Sequence, residues 1–230
     1  MDLSQKISTI ITNKKYVCVK LSGGADSAII YYALCDVVKD TKTKIIVTTL
    51  DTTIKNQNIA SAKRVIKIVK ESTGVEPYKH ITNIVKDSSE NYVNGQQHLL
   101  KKIYKKYTKN IPVYSGLTIN PPQKEMIKFV KQNFATLGID KNKALLSIDT
   151  RDKSRDNKLP YRESPTRLFE ETDKKGVMYA YNHYDMMENL YPYTVSCTEV
   201  PHIIGDNKLP IHCGVCFPCL ERQWAFGRLI

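Results

Sequence analysis

The sequence predicts an α/β protein, a Rossmann-like parallel sheet with helices on both faces, followed by a short cysteine-rich C-terminal segment. Three observations carry that prediction. Short apolar runs alternate with longer stretches of helical period, which is the pattern of βαβ units. The first such run, Tyr16–Lys20, passes through a Ser-Gly-Gly turn into an apolar helix beginning near Ala28. Four of the six cysteines stand at or after position 197, three of them spaced C-x2-C-x2-C.

Taken in order, residues 2–12 predict a leading helix, with Leu3, Ile7, Ile10 and Ile11 on one stripe. The strand Tyr16–Lys20 follows, and the helix after it ends near Asp40. Lys44–Leu50 reads as a second buried strand, with Asp51 just past its C-terminal end. Residues 57–73 carry Ile59, Ala62, Val65, Ile66 and Val69 at helical spacing and stop at Gly74. A strand over Tyr78–Ile84, a lysine-rich helix over 90–107, a strand over Ile111–Thr118 and a helix over 123–135 come next. Lys143–Ile148 reads as a fifth strand, and the polar stretch 149–158 as a mobile, solvated loop. The expected division is an α/β domain over 1–190 and a cysteine segment over 191–230. Ligands of such sheets bind at the C-terminal ends of the strands, so the turn after Lys20, Leu50 with Asp51, and Gly116 are expected to line one pocket.

At 230 residues the chain can bury a substantial core. It has no run of 18 apolar residues, and its start lacks the basic flank and apolar stretch of a signal peptide. A soluble, cytoplasmic protein is therefore expected. Thirty-five Lys and Arg against 23 Asp and Glu give a formal charge of +12, which attracts phosphates. Most of that charge is lysine spread along the chain, and arginine, the better reader of bases, is scarce. Nucleotide attraction is thus favoured over dedicated nucleic-acid binding.

The turn Leu21-Ser22-Gly23-Gly24-Ala25-Asp26-Ser27 has the chemistry of a phosphate cradle. Glycines let backbone N–H groups approach an anion, a helix N-terminus adds its positive dipole end, and the Ser22 and Ser27 hydroxyls add donors. Asp26 suits such a place when Mg²⁺ bridges it to the phosphates. This stretch resembles the SGGxDS signature of the PP-loop ATP pyrophosphatases, whose fold is the adenine nucleotide α-hydrolase-like one. It lacks the GKS or GKT ending of a Walker loop.

Cys197, Cys213, Cys216 and Cys219 could hold a tetrahedral Zn²⁺ closed to solvent, which would stabilise a tail too short to fold alone. The same spacing occurs in iron–sulfur proteins, and His202 or His212 could replace Cys197 as fourth ligand. Cys18 and Cys35 lie on apolar faces and are expected in the core.

The loop together with Ser196-Cys197 and Cys213-Gly214-Val215-Cys216-Phe217-Pro218-Cys219-Leu220-Glu221-Arg222 resembles the 7-cyano-7-deazaguanine synthase (QueC) family. That resemblance implies ATP, Mg²⁺ and Zn²⁺ as cofactors, a homodimer, and a deazapurine carboxylate and ammonia as substrates. The carboxylate would be adenylated and converted to the amide and then the nitrile of 7-cyano-7-deazaguanine. It implies Asp26, Lys175 and Arg222 as the charged groups at the chemistry. One departure stands out. After the fourth strand the family usually reads Gly-Val-Asn and a base-holding loop, whereas this chain reads Gly116-Leu117-Thr118-Ile119-Asn120-Pro121-Pro122-Gln123. A divergent branch with another acceptor, or a PP-loop enzyme that thiolates RNA with an iron–sulfur cluster, is the alternative.

Overall fold

The structure is a computed structural model that describes residues 3–54, 57–86, 88–107, 110–156, 166–199 and 209–230. His202 and the end of the 149–158 stretch lie outside them. The chain divides into two compact units, residues 1–116 with 163–168 and residues 117–162 with 169–230.

The first unit is built on five parallel strands, β1 (Tyr16–Lys20), β2 (Lys44–Thr52), β3 (Lys79–Val85), β4 (Val113–Ser115) and β5 (Thr166–Arg167), in the order β3-β2-β1-β4-β5. The helices α1 (Leu3–Ile11), α2 (Ala25–Val38), α3 (Asn58–Thr73) and α4 (Ser89–Tyr107) flank this sheet. Strand β1 is buried along its centre, and β2 is buried from Ile45 to Thr52, as strands covered on both faces must be. One core cluster joins Cys18 of β1, Ile46 of β2 and Val113 of β4 to Ile103 and Tyr107 of α4. The thiols of Cys18 and Cys35 are fully buried, and burial pushes each up to about 12. Strand order reverses between β1 and β4, and it is at the C-terminal strand ends beside such a reversal that sheets of this kind take their ligands.

Two glycines set how tightly that end is built. Gly23 has φ +80°, and a Cβ there would lie 2.3 Å from the Cβ of Ser61 and 2.9 Å from the Ala62 nitrogen, so the turn rests directly on the start of α3. A Cβ on Gly116 would lie 2.6 Å from the Ser27 nitrogen, which puts the exit of β4 against the first turn of α2.

The second unit holds the helices α5 (Gln123–Asn133), α6 (Lys141–Asp149), α7 (Lys174–His183) and α8 (Phe217–Phe226). Met126 and Val130 of α5, Ala144 and Ile148 of α6, and Phe217 and Leu220 of α8 form its main core.

Four expectations are corrected here. Lys143–Ile148 lies in helix α6, and the fifth strand is the two-residue β5. Asp140 starts that helix, its carboxylate accepting from the N–H groups of Asn142 and Lys143, and the buried pair Ala144 and Ile148 follows helical period while Leu146 is exposed. The described part of the polar stretch 149–158 is also tied down. Arg151 is buried and paired with Asp156, and Arg155 donates from Nε to the Thr118 carbonyl at 3.0 Å and from Nη2 to its hydroxyl at 2.7 Å. The fourth strand is shorter than expected, because the chain leaves the sheet at Gly116. Asp51 lies within β2 and not beyond it.

Gly23→Ala is expected to cost about 2 kcal/mol or more, from the left-handed backbone and the collision with α3. Asp140→Ala is expected to cost about 1 kcal/mol as a lost cap. Urea unfolding midpoints of the two variants check both values and their order.

Candidate functional site

The turn between β1 and α2 is ordered from within. The Ser22 N–H donates to Ser27 Oγ at 3.3 Å, the Gly24 N–H to Ser22 Oγ at 3.3 Å, and Ser27 Oγ to the Gly24 carbonyl at 3.1 Å. The two hydroxyl oxygens stand 3.3 Å apart. Its entry is fixed by β2, where the Thr48 carbonyl accepts from the Leu21 N–H at 2.9 Å and Thr49 Oγ1 donates to the Leu21 carbonyl at 2.7 Å. Leu21 and Ala25 are buried, Ser22 is exposed, and Asp26 is half-buried in the first turn of α2. Gly24 is the N-cap residue and has no capping side chain, so the helix end presents backbone where a Ser or Asp would otherwise bond it. Backbone N–H groups, two hydroxyls and one carboxylate at a helix N-terminus can hold a polyphosphate with a hard cation.

Leu50 and Asp51 serve the same end of the sheet by holding the start of α3. Asn58 Nδ2 donates to the Leu50 carbonyl at 2.9 Å. The Asp51 carboxylate is fully buried and accepts from the N–H groups of Thr52 at 3.1 Å and Ile59 at 3.0 Å. Burial raises its pKa, and those backbone donors oppose the rise. The structure thus brings Leu21–Ser27, Leu50, Asp51 and Gly116 to one end of the first unit, with Asp51 and Gly116 shaping the backbone.

The cysteine cluster belongs to the second unit. Cys197, on the segment after the turn Tyr191–Tyr193, meets Cys213, Cys216 and Cys219, and the four sulfurs all lie within 4.8 Å of one another. The Cys216 N–H donates to Cys213 Sγ at 3.3 Å, Cys216 caps α8, and Cys219 sits in the first turn of that helix. Hydrogen bonding with Cys197, ahead of burial, raises the pKa of both Cys216 and Cys219. A bound cation would reverse this and draw the thiolates out. His212 approaches as well, its Nδ1 3.7 Å from Cys219 Sγ, so the sulfur set has an imidazole beside it.

Arg222 of α8 is fully buried. It donates to Thr194 Oγ1 at 2.7 Å, to the Tyr191 carbonyl at 2.8 Å and to the Leu229 carbonyl, with its guanidinium 3.8 Å from the Tyr191 ring centre. Its fork therefore pins the chain on either side of α8. Lys175 lies in the first turn of α7, its Nζ 4.0 Å from the centre of the Trp224 ring.

Sequence reasoning missed Arg155, whose bonds to Thr118 join residues 37 apart along the chain. No local signal announces such a pairing. It also missed Ser115 and Arg167, which the sheet register sets side by side.

No family model and no curated protein matches the chain. Among solved structures it is similar to the U34-tRNA thiolase NcsA from Methanococcus maripaludis with its [4Fe-4S] cluster, at 16% identity over 84% of this chain and 67% of that one, with a TM-score of 0.46. It is similar to NMN synthetase from Francisella tularensis, at 15% identity over 80% of this chain and 84% of that one, with a TM-score of 0.34. NAD+ synthetase from Burkholderia pseudomallei is 12% identical over 80% of this chain and 88% of that one, with a TM-score of 0.35. At these identities and TM-scores the likenesses carry no argument about activity.

Proposed function

We propose that this protein is an ATP-dependent adenylyl-transferring ligase of the PP-loop type. The observation that carries the reading is the Ser22–Ser27 turn, with two hydroxyls 3.3 Å apart and Asp26 in the first helical turn, at the strand reversal of a parallel sheet. An acceptor oxygen attacks the α-phosphorus of ATP, the bond to the β-phosphate breaks, and pyrophosphate leaves into the turn. Loop amides and the hydroxyls of Ser22 and Ser27 stabilise the charge that develops on the leaving oxygens. Asp26 would hold Mg²⁺ at this turn, and the ion would supply further charge neutralisation. A nucleophile then displaces AMP from the activated carbon.

The resemblance of the C-terminal segment supports a deazapurine carboxylate as acceptor and ammonia as nucleophile, giving an amide and then a nitrile. A second reading, thiolation of an RNA base, has its own support. Thr118, at the place of the family's Asn, is fully buried, and Arg155 engages both its carbonyl and its hydroxyl. The charge of +12 suits a polyanionic acceptor. Both acceptors present an oxygen on an electrophilic carbon, so the adenylation step is common to them.

For the cluster we propose Zn²⁺ in a structural role. Four thiolates at about 2.3 Å from one tetrahedral ion stand about 3.8 Å apart. Sulfur separations of 3.9 Å between Cys216 and Cys197 and 4.0 Å between Cys213 and Cys219 support a single ion. A cube of iron and sulfide needs its thiolates further apart.

Mass spectrometry of reactions with ATP and Mg²⁺, supplied with 7-carboxy-7-deazaguanine and ammonium or with tRNA and sulfide, is expected to show AMP and pyrophosphate forming with one acceptor and not without it. Asp26→Asn is expected to lower that turnover about a hundredfold. Unchanged turnover in this variant would remove the role given to the turn. Elemental analysis is expected to find one zinc per chain, lost in Cys219→Ser together with thermal stability. Iron with absorbance near 400 nm would favour the second reading.

A further inference from the structure

Beside the turn, three polar side chains share one face of the sheet at its C-terminal edge. In a parallel sheet, residues paired across neighbouring strands point to the same face. Ser115 pairs with Arg167, and Val19 pairs with Tyr114, so the next step along β1 sets Lys20 beside Ser115. The row Lys20–Ser115–Arg167 therefore crosses β1, β4 and β5 where the strand order reverses. Lys20 ends one residue before the turn, and Gly116, next to Ser115, is the residue pressed against Ser27.

These groups have no partners among the described residues. Ser115 is 5% exposed, and its Oγ is buried without a hydrogen bond. The Nε of Arg167 is buried without an acceptor. Lys20 is half-buried with no ion pair, and it lies near enough to Arg167 for the two charges to repel. Burial first, and Arg167 after it, pull the Lys20 amine down to about 8. Two partly desolvated cations on one face, with no anion between them among the described residues, are a cost to the fold. Such a cost persists where a ligand offsets it, as at functional sites whose residues do not serve stability.

We propose that Lys20, Ser115 and Arg167 form an oxyanion subsite beside the phosphate turn, taking a phosphoryl or carboxylate group of the reacting pair. The assignment deepens the adenylyl-transfer reading and rests on it for the chemistry performed there. Both candidate anions carry the same feature, two or three oxygens on one centre, which an ammonium, a guanidinium and a hydroxyl can bind together. The phosphoryl source is the α-phosphate of the nucleotide. The carboxylate source is the acceptor.

The test uses the full chain and the variants Lys20→Met, Ser115→Ala and Arg167→Met. Thermal unfolding comes first. If the two cations served the fold, each methionine would lower the melting temperature, and that result overturns the proposal. The expected result is a melting temperature equal to or above that of the parent, because an unpaired, partly desolvated charge has been removed. Calorimetric titration with AMP, adenosine and oxalate then reads the ligand. AMP affinity falling about tenfold in Lys20→Met and Arg167→Met, and less in Ser115→Ala, with adenosine unchanged, supports the subsite and assigns it to the nucleotide phosphate. Oxalate affinity falling by a similar factor, with AMP unchanged, supports the subsite and assigns it to an acceptor carboxylate. Parent-like affinity for both anions in all three variants overturns it. A parent chain that binds neither ATP nor AMP removes the adenylyl-transfer reading, and the oxalate titration still decides the subsite.

Discussion

The first unit depends on a contact between backbones. The turn after β1 passes so close to α3 that Gly23 has no room for a Cβ, and the exit of β4 passes equally close to the first turn of α2. Neither approach is held by a long side chain that could adjust, so the positions of the turn, α2, α3 and β4 are mutually fixed. Asp51 strengthens the same arrangement from below by bonding the start of α3 to β2. The result is a turn whose donors are positioned before any ligand arrives, which is the property that the proposed stabilisation of a leaving group requires.

The second unit is held by different means. Arg222 carries its bonds to Tyr191, Thr194 and Leu229 while stacking on an aromatic ring, and the aromatic rings of Tyr191 and Phe226 stack in turn at 4.1 Å between centres. A planar fork with five donors suits this task where lysine would not. Arg222 and the cysteine cluster flank the same helix, α8, one on its interior side and one at its N-terminal end. Thiolate chemistry and guanidinium geometry together organise a segment that has few regular elements of its own.

Sequence was a good guide where the signal is local. Strands β1, β2 and β3 stand out because short β-branched runs are bounded by polar turns, and α3 because its apolar stripe ends at Gly74 in the left-handed conformation. The Ser-Gly-Gly turn is legible for the same reason, since all its residues are consecutive. Lys143–Ile148 misleads because a run of Ala, Leu, Leu, Ser and Ile satisfies strand and helix equally, and only the Asp140 cap before it decides. Strand β5 is invisible at two residues. Ser115 and Arg167 become neighbours only through sheet register, and Arg155 reaches Thr118 only through folding of the second unit. Pairings of that kind leave no trace in spacing or periodicity.

The six thiols differ in what they can undergo. Cys18 and Cys35 are sealed in the sheet core and stay protonated far above neutral pH, which makes them poor nucleophiles toward oxidants and alkylating reagents. The other four have sulfurs within 4.8 Å of one another, close enough to join as disulfides after small movements of their side chains. Thiol oxidation in this chain therefore has one address. Its first casualty is the anchoring of the C-terminal helix, while the turn after β1, which contains no sulfur, is untouched.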